Sequence, residues 1–214
     1  MDDCRKMLVS GLEALNLPLD EEQIRRLLDF ITLIEKWNKA YNLTAIRDRA
    51  AMVHLHLLDS LAIAPFIEGR RVIDIGTGAG LPGIPLAICY PDIEFMLLDS
   101  NAKKTRFVQQ AILELKLNNV SVCHNRVEHY HPEQPFDTVI TRAFAGLFEI
   151  VDLTAHLLSK EGVLLAMKGQ APEIPKLESA KAELIPVNVP GISAERCLIR
   201  IQLIKESEVS AWEK

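Results

Sequence analysis

The chain has 214 residues, 49% of them apolar and 25% charged, with a formal net charge of −5. It is long enough to bury a sizeable core, and its composition is ordinary for a globular domain. The net negative charge argues against a coat of basic residues for sequence-independent nucleic-acid binding, but it leaves room for a local basic face.

Several classes of protein and site are disfavoured by local features. No apolar run reaches the about 18 residues of a membrane helix, and the N-terminus does not resemble a signal peptide, so we predict a cytoplasmic protein. Because His54 and His56 lie two apart in an apolar helix, they cannot share one face, and no metal site is expected. Reduced, structural thiols are predicted for the four scattered cysteines, Cys4, Cys89, Cys123 and Cys197.

Residues 1–66 are predicted to be all-helical. Apolar residues recur at three- and four-residue steps from Ile24 to Trp37, and Asp20 is a suitable N-cap for this amphipathic helix. The segment "AMVHLHLLDSLAIAPF" indicates one or two further helices that stop near Pro65. We expect this region to be an extension packed on a second unit, residues 67–214.

From about residue 70, β-rich apolar runs alternate with helical patterns. This alternation predicts an α/β fold with a parallel sheet and helices on both faces. The strand runs are "RRVIDIG", "IEFMLLDS", "NVSVCHN", "FDTVITRAF" and "GVLLAMKG". The helical patterns between them are "LPGIPLAICY", "NAKKTRFVQQAILELKL" and "GLFEIVDLTAHLLSK". At the end, "AELIPVNVP" and "ERCLIRIQLI" predict a hairpin that adds one antiparallel strand to this Rossmann-like sheet.

A glycine-rich turn follows the first strand. Gly76, Gly78 and Gly80 allow the backbone to turn tightly and approach a ligand, at the edge where doubly wound sheets bind nucleotides. The spacing is G-x-G-x-G, preceded by Asp74. A dinucleotide fingerprint would have glycine or alanine where Leu81 stands, so pyrophosphate binding is disfavoured.

A second acid, Asp99, ends the next strand in "LLDS". A carboxylate there can accept hydrogen bonds from both ribose hydroxyls of an adenosine. Its alternative role is the N-cap of the following helix, and the two roles are compatible.

Together these features are typical of S-adenosylmethionine-dependent methyltransferases, and further motifs narrow the resemblance. In chain order they are "KWNKAYNLTAIRD", "HLLDSL", "DIGTGAGLPGIPLAI", "LLDSNAKKTRF", "RVEHY", "TRAFAGL" and "MKGQ". From about residue 30 to about residue 205, the chain resembles the bacterial 16S ribosomal RNA guanine-N7 methyltransferase family, also called RsmG or glucose-inhibited division protein B.

The resemblance implies a class I methyltransferase fold, S-adenosylmethionine as cofactor and methylation of N7 of guanine 527 of 16S ribosomal RNA. The substrate would be the small subunit or an assembly intermediate, with no membrane partner, and the protein would be a monomer. Guanine N7 has an in-plane lone pair and no proton, so the reaction needs alignment rather than a general base. The chain has no N-P-P-Y motif after its fourth strand, and no nucleophilic cysteine after the fourth or fifth.

The resemblance also assigns site residues. Val127 would contact the adenine through its backbone and Glu128 would lie near the base edge, with packing and a solvated acid as the alternatives. Arg142 would contact the cofactor and could donate to guanine O6 or a phosphate, unless it closes a salt bridge. Lys168 is a substrate-side candidate or a solvated lysine. The expected cofactor-binding set is Asp74, Gly76, Gly78, Gly80, Leu81, Asp99, Ser100, Val127, Glu128 and Arg142, and the catalytic candidates are Arg142 and Lys168.

Candidate RNA contacts are cations interleaved with aromatic residues. For Trp37, core packing is the competing interpretation, and for the cations a solvated surface. The candidates are Lys36, Trp37, Lys39, Tyr41, Arg47, Arg49, Lys103, Lys104, Arg106, Arg196 and Arg200. Cys197 departs from the family pattern, which has histidine after Glu-Arg.

Other functions stay open on sequence grounds. They are a nicotinamide-dependent oxidoreductase, a non-catalytic S-adenosylmethionine-binding regulator, and a methyltransferase for another RNA, a small molecule or a protein. Calorimetry with S-adenosylmethionine and NAD separates the oxidoreductase from the others.

Overall fold

The computed structural model describes residues 2–142, 146–172 and 180–204. Its first part is helical, as predicted: α1 (Asp2–Ala14), α2 (Glu21–Tyr41) and α3 (Arg49–Met52), then a π-helical stretch (Val53–Leu58), α4 (Asp59–Leu61) and a 3-10 turn (Ala64–Phe66). Asp20 caps α2, because its carboxylate accepts from the Gln23 amide at 2.8 Å while the Gln23 side chain accepts from the Asp20 amide. The π-helical stretch was not predicted.

The remaining elements alternate between strands and helices. They are β1 (Arg71–Ile75), α5 (Gly83–Cys89), β2 (Glu94–Asp99), α6 (Ala102–Leu115), β3 (Val120–His124), β4 (Phe136–Arg142), α7 (Leu147–Thr154), β5 (Leu158–Lys168), β6 (Ala180–Pro186) and β7 (Cys197–Leu203). Short 3-10 turns cover Val127–His129 and Ala155–Leu157.

Seven strands form one sheet in the order β3-β2-β1-β4-β5-β7-β6. Strands β1 to β5 pair in parallel, and β7 is antiparallel to both β5 and β6. The predicted Rossmann-like sheet with a single antiparallel strand is therefore confirmed. The order along the sheet reverses between β1 and β4, and ligands of such sheets bind beside this position.

Helices cover both faces of the sheet, as expected. Successive residues of β1 point to opposite faces, so Val72 belongs to one apolar cluster and Ile73 to the other. The first cluster also contains buried residues of α1 and α2, so the N-terminal helices share a continuous core with the sheet. Phe30 of α2 stacks on Phe107 of α6 with ring centroids 6.4 Å apart.

The prediction of helix through "LLSK" was wrong. After α7 and one 3-10 turn the chain is already extended at Leu158, which pairs with Phe136 before the register shifts. A Cβ at Gly162 would lie 2.9 Å from the Phe136 carbonyl oxygen, so the bulged strand needs glycine there. Pairing with β4 thus overrides the local helical pattern.

Within the described residues, no helix has the length and apolar character that crossing a membrane requires.

Candidate functional site

The glycine-rich turn lies at the carboxyl end of β1, as predicted. Gly76, Gly78 and Gly80 have φ values of 68°, 60° and 77°, in the left-handed region that favours glycine. The amides of Gly76 and Thr77 donate to the Leu98 carbonyl oxygen at 2.8 and 3.1 Å. The turn is therefore held against the end of β2.

Asp74 braces this turn from inside. Its Oδ2 accepts hydrogen bonds from Thr77 Oγ1 at 2.7 Å and from the Gly83 amide at 3.0 Å. Burial raises the pKa of this carboxyl to about 6, although both hydrogen bonds favour the ionised form. Oδ1 is buried without a hydrogen-bond partner among the described residues. A Cβ at Gly83 would lie 2.9 Å from Oδ2, so glycine is needed for the close approach.

Asp99 connects the turn to the start of α6. Its Oδ2 accepts from the Gly78 amide at 2.9 Å and its Oδ1 from the Asn101 amide at 2.8 Å. The N-cap of α6 is Asn101, which accepts from the amides of Lys103 and Lys104, so the capping alternative for Asp99 is wrong. Each Asp99 oxygen keeps a further lone pair for a ligand hydroxyl.

A cavity of about 180 Å³ opens beside Asp99. It brings together five predicted residues, which are Gly76, Asp99, Ser100, Val127 and Glu128. The other lining residues are Ile75, Leu98, Asn125 and Arg126. Carboxylates next to apolar walls match the ribose and the base of an adenosine, so the residues present fit the cofactor that the sequence predicted.

Five predicted cofactor residues do not line this cavity, which we call the adenosine pocket: Asp74, Gly78, Gly80, Leu81 and Arg142. Asp74 supports the turn from beneath, and the side chain of Leu81 is buried in the core, only 3% exposed. A Cβ at Gly80 would lie 2.6 Å from Ile84, so this glycine serves helix packing. Asn125 and Arg126 line the pocket but were not predicted. Arg126 is the first residue of "RVEHY" and Asn125 precedes it, so their signal was that the segment after a strand lies at the same edge of the sheet.

A second cavity, of about 370 Å³, lies on the other side of the position where the strand order reverses. Both catalytic candidates line it, Arg142 from the end of β4 and Lys168 from the end of β5. Its polar or small lining residues are His56, Asp59, Arg142, Lys168, Gly169, Arg196 and Cys197, and its apolar ones are Ile46, Leu55, Ile63, Met167, Val187 and Val189. We call it the substrate cavity.

An ion-paired group forms one wall of the substrate cavity. Asp59 Oδ1 accepts from Arg196 Nε at 2.8 Å, and its Oδ2 from Arg142 Nη1 at 3.4 Å. Cys197, where the family pattern has histidine, donates from its Sγ to the Lys168 carbonyl oxygen at 3.7 Å, and burial raises the pKa of its thiol. Asp59 was not predicted as a site residue, although an acid within the apolar helix "AMVHLHLLDSLAIAPF" is a signal of a buried polar group.

His56 is buried in the same wall. Burial, and secondarily the charge of Arg142, lowers the pKa of its imidazole from 6.5 to about 4, although Asp59 opposes this. The unfolded chain therefore binds a proton between pH 6.5 and 4 that the folded chain does not bind. Stability from this group is present above pH 6.5 and is lost as the pH falls toward 4.

We expect wild type and His56→Gln to differ in their pH dependence. From pH 4.5 to 7 the unfolding free energy of wild type should gain about 2–3 kcal/mol relative to the variant. Urea unfolding at several pH values measures this difference. Because the pKa of Asp74 is raised, its contribution to the unfolding free energy falls as the pH rises. This contribution is present in both proteins and cancels in the difference. Parallel stability profiles would contradict the assignment.

The candidate RNA contacts are dispersed. Trp37 packs on Tyr41 and Phe107 with centroids 5.2 and 6.0 Å apart, which supports core packing rather than base stacking. Arg49 pairs with Glu35 and donates to Thr32. Lys36, Lys39 and Arg47 line a surface depression of about 360 Å³ together with Glu35, Asn38 and Met52.

Of the remaining candidates, Arg196 lines the substrate cavity, while Lys103 and Arg106 are exposed on α6 and line neither cavity. Lys104 Nζ is 4.0 Å from Asp99 Oδ2, and Arg200 pairs with Glu68 at 2.8 Å, outside both cavities. Residues 143–145 of "TRAFAGL" lie outside the described residues.

The chain is similar to known proteins along most of its length. The family model described as rRNA small subunit methyltransferase G matches residues 23–196. A Nitrosococcus oceani protein named ribosomal RNA small subunit methyltransferase G is 50% identical over 201 residues, covering 92% of this chain and 94% of its own. A Legionella pneumophila protein of the same name is 51% identical over 184 residues, covering 82% and 85%.

Solved structures share the fold at low identity. A structure of MtNAS in complex with MTA and tNA has a TM-score of 0.58 at 14% identity, covering 95% of this chain and 87% of its own. A putative methyltransferase, yhhF from Escherichia coli, has a TM-score of 0.50 at 15% identity, covering 67% and 81%. The predicted class I methyltransferase fold is thus confirmed.

Proposed function

Because the chain belongs to the rRNA small subunit methyltransferase G family, we propose that it methylates N7 of guanine 527 of 16S ribosomal RNA with S-adenosylmethionine as donor. One observation carries the proposal to this site. An adenosine-sized pocket and a cation-lined substrate cavity lie on either side of the position where the strand order reverses. Family membership also favours a methyltransferase over the nicotinamide-dependent alternative.

The residues of the adenosine pocket would hold the cofactor. Asp99 accepts hydrogen bonds from the ribose hydroxyls while the amides of Gly78 and Asn101 keep its carboxylate in place. Ser100 adds a polar group, and Val127 and Glu128 contact the adenine. When bound, S-adenosylmethionine supplies a methyl group on a positively charged sulfur, which is electrophilic without further activation.

The residues of the substrate cavity would orient the base. Arg142 donates to guanine O6, and this bond turns the adjacent N7 toward the donor. Lys168 adds positive charge on the same side of the cavity. The apolar lining, Leu55 and Ile63 among it, excludes water from the reacting atoms. Since N7 carries no proton, no residue has to act as a general base.

The proposal also covers the domain arrangement, the oligomeric state and location, and the form of the substrate. Residues 1–66 form an extension packed on the methyltransferase domain, residues 67–214, because α2 and the sheet share one apolar cluster. The protein works as a monomer in the cytoplasm, where ribosomal subunits are assembled. Its substrate is the small subunit or an assembly intermediate rather than free RNA.

Tritiated methyl transfer tests this function. Small subunits from a strain without the enzyme should accept label from S-adenosylmethionine, and borohydride reduction followed by aniline should cleave their RNA at guanine 527. Subunits that already carry the methyl group serve as the control. Absence of label from the unmodified subunits, or label without this cleavage, would contradict the proposal.

The surface depression lined by Lys36, Lys39 and Arg47 is the proposed contact for RNA phosphates. Ile46 lines the substrate cavity and Arg47 lines the depression, so the segment between α2 and α3 separates the two. Lys36 and Lys39 lie exposed on the same depression. An RNA strand whose guanine enters the cavity would then leave its phosphates near three cations.

We expect the triple variant Lys36→Ala/Lys39→Ala/Arg47→Ala to raise the KM for subunits about 10-fold and to reduce the salt dependence. The slope of log(kcat/KM) against log salt should fall by about 2, because each lost phosphate contact contributes about 0.7. Affinity for S-adenosylmethionine should not change. Arg25→Ala/Arg26→Ala is the control, since these α2 arginines pair with Glu22. Equal slopes in the two variants would contradict the assignment.

A further inference from the structure

Among the described residues that line the substrate cavity, Asp59 is the one carboxylate. Three cations line the same cavity, Arg142, Arg196 and Lys168, so an acid is not needed there to attract RNA. Its side chain is only 8% exposed, and a carboxylate that is buried without partners costs several kcal/mol. The presence of this acid therefore calls for a role other than charge attraction.

The geometry of Asp59 supplies that role. Its two oxygens contact two guanidiniums that come from different segments of the chain, Arg142 at the end of β4 and Arg196 just before β7. Both arginine side chains are mostly buried, at 27% and 25% exposure, and both line the cavity. A single carboxylate thus sets the spacing between the two donors.

The helix that carries Asp59 is distorted at this position. The Asp59 amide donates to the carbonyl oxygen of His54, five residues earlier, at the end of the π-helical stretch Val53–Leu58. Single π turns of this kind commonly occur at functional sites. Leu55 and His56 of this stretch and Asp59 just after it all line the substrate cavity, so the N-terminal extension contributes directly to the substrate site.

We propose that Asp59 is a positioning residue that aligns the guanidiniums of Arg142 and Arg196 as a pair of donors for the target guanosine. The proposal rests on the function proposed above. Arg142 then meets O6 of the base, while Arg196 meets the flanking sugar or phosphate. Without the carboxylate, two long side chains of like charge separate, and the base loses its fixed orientation toward the donor.

Asp59→Asn removes the charge and one of the two acceptors without changing the volume. We expect kcat for methyl transfer to subunits to fall about 10- to 100-fold, with the affinity for S-adenosylmethionine unchanged in calorimetry. Glu68→Gln is the matched control, because Glu68 pairs with Arg200 of β7, outside the cavity, at the same 2.8 Å as Arg196 and Asp59. This control should keep the wild-type rate.

A double-mutant cycle with Arg196→Ala distinguishes positioning from a merely structural role. If Asp59 acts through the arginines, Asp59→Asn/Arg196→Ala should lose less than the product of the two single losses. Thermal unfolding of all variants shows whether they are folded. A wild-type rate for Asp59→Asn, or losses that multiply, would overturn the positioning role. Failure of the wild-type enzyme to label subunits would instead overturn the proposed function.

Discussion

Asp99→Ala should weaken binding of S-adenosylmethionine about 100- to 1,000-fold. Two ribose hydroxyls would lose their charged acceptor, and each such hydrogen bond contributes about 1.5–3 kcal/mol. The substitution also releases the Gly78 amide, so the glycine-rich turn loses one of its supports. Isothermal calorimetry with S-adenosylmethionine measures the effect directly, without subunits.

Asp137→Ala provides a matched control for this loss. Asp137 Oδ2 also accepts from two backbone amides, those of Arg70 and Arg71 at 2.8 and 3.1 Å, but next to the amino end of β1. The Asp137→Ala variant should have a lower melting temperature than wild type but the same affinity for the cofactor. Asp99→Asn keeps one acceptor and should lie between alanine and wild type. A dissociation constant for Asp99→Ala within threefold of the wild-type value would contradict the assignment of the adenosine pocket.

Arg142→Ala should lower kcat/KM for subunits about 100- to 1,000-fold. The loss combines a charged hydrogen bond to O6 with the orientation that this bond imposes on N7. Arg142→Lys keeps the charge but loses the planar donor fork, so an intermediate rate is expected. Tritium transfer under single-turnover conditions measures the chemical step.

Arg200→Ala is the corresponding control for Arg142. Arg200 pairs with Glu68 at the surface and should leave the rate unchanged. In Arg142→Ala the buried Asp59 still pairs with Arg196, so the variant should remain folded. Calorimetry with the variant shows whether Arg142 also contacts the cofactor. Full-rate methylation by Arg142→Ala would remove this arginine from the mechanism.

Much of the fold could be predicted because local patterns and tertiary environment agree. The buried strands are continuous apolar runs, and the glycines of the turn adopt left-handed φ values. The start of β5 could not be predicted, because Leu158 extends only through pairing with Phe136, which no local pattern encodes.

The candidate site, too, could be predicted from the sequence only in part. The position of Asp99 at the end of a strand follows from the sequence, because residues at the carboxyl ends of parallel strands meet at one edge. The composition of the substrate cavity does not follow from the sequence, because the cavity joins Asp59, Arg142 and Arg196 from three distant segments. The sequence predicts Arg196 only as a candidate RNA contact, and its pairing with Asp59 is visible only in the structure.

By itself, the sequence determined the α/β class, the glycine-rich turn, the acid at the end of β2 and the family, since each depends on spacing within a short segment or on a run of such motifs. Only the tertiary structure decided which groups share the substrate cavity. Packing brings an acid of the helical extension against arginines of β4 and the β7 approach, and ion pairs between such remote segments form only when the chain has folded.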